Sequence, residues 1–79
     1  MSRRVATFEI DSKTDSYAAR RILERLYDTI REESENVREG ADDATELIES
    51  FEALRDAAKR PTPGKLTVTY ERYDDEFQD

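Results

Sequence analysis

Carboxylates are the reactive groups this chain has in quantity: 20 Asp and Glu stand against 13 Lys and Arg, with no His and no Cys. Paired carboxylates can serve glycoside hydrolysis, and carboxylate clusters can hold Mg²⁺ or Ca²⁺. With so many acids, some pair falls at any chosen spacing, so pairs alone select no hydrolase. The densest group is Glu32, Glu33, Glu35, Glu39, Asp42, Asp43 and Glu46. It lacks the ligand order of an EF-hand and reads as a solvated acidic surface. Ser12, Ser16, Ser34 and Ser50 have no histidine to activate them. Gly40 and Gly64 are isolated, so no glycine-rich phosphate loop exists. The expectation is a protein without catalytic residues, cofactor or metal site, hence not an enzyme.

Charge is segregated along the chain. Residues 32–54 carry one base and nine acids, and residues 74–79 carry four acids and no base. The flanking segments 1–31 and 55–73 are net basic, with Arg20, Arg21, Arg25, Lys59 and Arg60 as the residues suited to phosphate contacts. Nucleic acid is therefore one candidate partner. The acidic segments repel a polyanion, which favours another protein instead.

The elements that position these charges follow from hydrophobic spacing. Ala19, Leu23, Leu26, Ile30, Val37, Ala44, Leu47, Phe51, Leu54 and Ala58 fall on alternating four- and three-residue steps, the period of one helical face. With Leu23 at heptad position a, the register runs unbroken from residue 19 to residue 58. One long coiled-coil helix flanked by strands is thus an alternative. Glu33 and Gly40 interrupt the d positions, and Gly40-Ala41-Asp42-Asp43 resembles a helix stop followed by a start. A hairpin is expected, with the first helix from about residue 14 to at least Asn36 and the second from about 42 to 60. Pro61 and Pro63 end it.

Strands flank the hairpin. Residues 3–10 alternate, Ala6, Phe8 and Ile10 to one side, and residues 65–73 alternate with Leu66, Val68 and Tyr70 together. The fold expected is α+β: β-α-α-β, a long antiparallel helical hairpin with a short two-stranded antiparallel ribbon at its open end. It makes one domain, residues 1–73, with an acidic tail at 74–79. At the acidic end Tyr73 and Phe77, in YDDEF, are the aromatic exceptions, suited to anchoring a short motif read by another chain.

A chain of 79 residues without cysteines or zinc ligands has few means of covering a core. Dimerisation is the remaining one, so a homodimer is expected, with Leu23, Leu26, Ile30, Leu47, Phe51 and Leu54 as core or dimer contacts. The first ten residues include Arg3 and Arg4 and no long apolar run, so neither a signal peptide nor a membrane span is expected, and the location expected is cytoplasmic. Only Lys13, Lys59 and Lys65 are lysines, and the remaining ten bases are Arg. This acid-rich, lysine-poor composition resembles that of cytoplasmic proteins of salt-loving archaea. A strand followed by two helices also resembles the ribbon-helix-helix repressors in outline, although here the helices are longer, a second strand follows, and no motif matches residue for residue. The reading is a non-enzymatic, acidic protein-interaction and dimerisation module, with a nucleic-acid-binding regulator as the alternative.

Overall fold

The computed structural model describes residues 2–37 and 42–77. Strand β1 (Ser2–Ile10) is followed by helix α1 (Lys13–Val37), helix α2 (Asp42–Ala57) and strand β2 (Gly64–Arg72). The order is β-α-α-β, and the helices form a hairpin rather than one long rod. Tyr27 and Arg55 would lie about 42 Å apart along a continuous helix. Instead the Arg55 guanidinium sits 4.3 Å from the Tyr27 ring centroid. The turn expected around Gly40 lies outside the described residues, as do the side chains of Glu35, Glu39, Asp42 and Asp43.

Local chemistry sets the helix ends. The Asp15 amide donates to Ser12 Oγ at 3.1 Å, and the Asp11 amide donates to Asp15 Oδ2 at 3.0 Å. Ser12 is the N-cap, and Asp15 reaches back over the chain entering the helix, a reciprocal arrangement close to a capping box. At the C-terminal end of α2 the ladder tightens: the Ala58 amide is shared between the Leu54 and Arg55 carbonyls, and the Lys59 amide donates to the Asp56 carbonyl. The helix stops at Ala57, short of the expected residue 60, because this tight turn and Pro61 leave no room for another α-helical turn.

The strands pair antiparallel from Ser2 opposite Arg72 to Ile10 opposite Gly64. This register puts Ala6 opposite Val68, Phe8 opposite Leu66 and Arg4 opposite Tyr70. Directly paired residues share a face, so the alternating apolar sets of the two strands combine on one side of the ribbon. Phe8, Ile10 and Leu66 are half-buried near the helices, whereas Ala6, Val68 and Tyr70 remain exposed farther out.

The core is thin. Ala19, Leu23 and Tyr27 are its only buried apolar residues among those described, joined by Ser16 and Ser34. The Cα positions span 45 × 30 × 14 Å, with a radius of gyration of 14.9 Å. A compact chain of this length has a radius of gyration of about 12 Å. The single chain is a plate about one layer deep.

Candidate interaction surface

The two edges of the interhelical seam differ in chemistry. Tyr27 and Arg55 both occupy heptad position e, which places them on the same edge of an antiparallel hairpin. Tyr27 is only 6% exposed, and the guanidinium covers its ring. Arg31 approaches the same ring at 6.0 Å. Arg55 is itself held by Asp56 Oδ1, to which Nη2 donates at 3.0 Å and Nε at 3.2 Å, and by Glu52 at 3.9 Å. Lys59 Nζ joins Asp56 at 3.1 Å, and Arg20 pairs with Glu24 at 3.9 Å. Hydrogen bonding to Asp56 raises the Arg55 pKa, and hydrogen bonds from Lys59 and Arg55 lower that of Asp56. This edge is closed by a cation over an aromatic ring and surrounded by ion pairs.

The opposite edge carries heptad positions d and g, about 100° around the helix from the core line at Ile22. On α1 it presents Ile22 and Leu26; on α2 it presents Leu47, Leu54 and Ala57. Ile22 is 46% and Leu54 47% exposed, and Leu26 and Leu47 are half-buried. These side chains make an apolar strip. At the open end of the hairpin it runs into a groove of about 230 Å³, where Leu23 and Leu54 face Ile10 and Leu66 of the ribbon. Arg60 and Lys65 rim the groove, and no acid lines it. Beyond it lies the exposed apolar part of the ribbon at Val68 and Tyr70. Hairpin edge, groove and ribbon thus form one apolar tract on one side of the plate.

The six residues expected at a core or dimer seam are distributed unequally. Leu23 is buried within the chain, Leu26, Ile30, Leu47 and Phe51 are half-buried, and Leu54 is exposed. Spacing alone missed Arg55 as the cover of Tyr27, although an aromatic and an arginine at matching e positions were visible. It also missed Arg60 and Lys65 as the rim of a groove, because that depends on how the ribbon folds back.

The five bases suited to phosphate are not gathered into one free patch. Arg20 is engaged with Glu24 and Lys59 with Asp56. Arg21 and Arg25 are exposed on the side of α1 away from the core, and Arg60 borders the groove. Among the described residues, no three carboxylates converge as metal ligands, and no helix is long and apolar enough to cross a membrane. In comparisons with known proteins, no family, no curated protein and no solved structure matches the chain.

Proposed function

We propose that this protein is a non-enzymatic, acidic interaction module that works as a homodimer, each copy covering the apolar tract of the other. The observation carrying this reading is the asymmetry of the plate: one edge of the seam is sealed by Arg55 over Tyr27, while Ile22 and Leu54 on the other edge stand open. Area supports it. The single chain exposes 6851 Å², whereas a compact monomer of 9.2 kDa exposes about 4,900 Å². The excess is larger than the roughly 800 Å² per partner that a stable interface buries. Face-to-face association would stack two plates into a two-layer body, with four helices and four strands and the polar edges outward.

The acid excess and the scarcity of lysine suit the cytoplasm of a halophilic archaeon, where hydrated carboxylates keep a protein soluble. The absence of His and Cys supports a role in binding rather than catalysis. Nucleic acid is the weaker alternative, because two of the five candidate phosphate contacts are already paired with acids.

Charge reversal on the two sides tests the assignment. Ile22→Glu or Leu54→Glu dissociates the dimer in size-exclusion chromatography and leaves a helical monomer. Arg21→Glu with Arg25→Glu leaves the dimer intact. A dimer that survives both apolar-side substitutions contradicts the assignment. Duplex binding at the host's own salt that the arginine changes abolish favours the nucleic-acid reading.

A further inference from the structure

The groove between hairpin and ribbon and the tail after β2 are chemically complementary. The groove has an apolar floor of Ile10, Leu23, Leu54 and Leu66 and a cationic rim of Arg60 and Lys65. The tail is the reverse: acids Asp75 and Glu76 lead to Phe77, whose ring is 96% exposed and has no apolar cover. An aromatic ring left in water forgoes about 1.5–3 kcal/mol of burial. Aromatic side chains in apolar pockets are the usual anchors of protein interfaces. The geometry also says whose tail it is. β2 runs away from the groove, and its nearest floor residue, Leu66, lies six residues before Arg72, about 20 Å at 3.3 Å per residue. The five residues from Arg72 to Phe77 span about 17 Å fully extended, and reversing direction after β2 uses part of that length, so a tail doubling back falls short of its own groove floor.

We infer that the two copies exchange tails: Phe77 of one chain enters the groove of the other, and Asp75 and Glu76 meet Arg60 and Lys65 at its rim. This inference rests on the dimer proposed above and assigns a ligand to one part of its interface. The groove is completed only by the second copy. At moderate salt the ring fixes the position and the charges fix the direction, since charged rims contribute more to orientation than to affinity. In molar salt the ring alone retains the tail.

The chain has no tryptophan, so Phe77→Trp places a single reporter at the tail while keeping an aromatic anchor. In the full-length protein, at concentrations where sedimentation shows dimer, the expected emission is blue-shifted and protected from acrylamide. Dilution to monomer shifts it to the wavelength of indole in water. Adding Arg60→Glu and Lys65→Glu, at the polar rim of the groove, loses the blue shift at low salt while sedimentation still shows a dimer. Three results overturn the inference. A dimer with a solvent-exposed indole removes the tail exchange and leaves the dimer standing. A buried indole indifferent to the two charge reversals places the ring elsewhere, against the ribbon or the other tail. A monomer at all concentrations removes both readings.

Discussion

The guanidinium of Arg55 lies 4.3 Å from the centroid of the Tyr27 ring, across the seam between the two helices. This contact joins residues far apart in sequence and fixes which edge of the hairpin is closed. Arg55 is oriented from behind by Asp56, which holds the guanidinium through Nε and Nη2. Tyr27→Ala is expected to destabilise the protein by about 3–5 kcal/mol, the range for loss of a large buried aromatic. Arg55→Gln is expected to lower the unfolding midpoint by less than Tyr27→Ala but by more than Arg25→Gln, which removes an exposed base. Thermal unfolding followed by circular dichroism measures the order. Equal effects for Arg55 and Arg25 would mean that the ring gains nothing from its cover.

Ser12 is the second local determinant. Its hydroxyl accepts from the Asp15 amide at the start of α1, so Ser12→Ala leaves that amide without its capping partner. The expected cost is about 1 kcal/mol. Ser12→Asn should recover most of it, and chemical denaturation of the three proteins provides the comparison. Equal loss in Ser12→Asn would show that side-chain capping is not what holds the helix start.

Acid affects the closed edge through Asp56. Its folded-state pKa lies below the ordinary 3.8, because Lys59 and Arg55 hydrogen-bond to the charged form. A depressed carboxylate stabilises the folded state above its unfolded pKa and loses that contribution as pH falls through the folded value. The stability difference between the native protein and Asp56→Asn should therefore be constant from pH 5 to pH 7 and shrink below about pH 4. Arg55 is shifted upward, away from the accessible range, and adds no slope of its own. A difference that persists unchanged into strong acid would detach Asp56 from the stability of this edge.

Much of the architecture was legible from residue spacing, and the reasons are local. Alternation in residues 3–10 and 65–73 records one apolar ribbon face, which the observed pairing of Ala6 with Val68 and Phe8 with Leu66 assembles. Pro61 and Pro63 mark the end of the second helix from sequence alone. The heptad count was less informative about the core, because it ranks d above e. In the folded hairpin the e residue Tyr27 is buried and the d residue Leu54 is exposed. The burial of Tyr27 comes with Arg55 lying over its ring, a contact that a seven-residue period does not encode. The groove rim at Arg60 and Lys65 was illegible for the same reason.

Salt is expected to stabilise the fold. Residues 32–54 carry nine acids and one base, and screening relaxes their mutual repulsion. The surface pairs of Arg20 with Glu24 and Lys59 with Asp56 weaken in the same conditions, but exposed pairs contribute at most about 1 kcal/mol each. The unfolding midpoint should rise between dilute and molar KCl. A flat or falling midpoint would contradict the proposed adaptation to concentrated salt.

Sedimentation equilibrium of the intact protein in molar KCl tests the central claim most directly. The chain mass is 9.2 kDa. At micromolar concentration the account predicts twice that mass, with Leu54→Glu returning it to the mass of one chain. A native protein that sediments as a single chain across the concentration range would show that the apolar tract bearing Ile22, Leu54 and Val68 is not covered by a second copy.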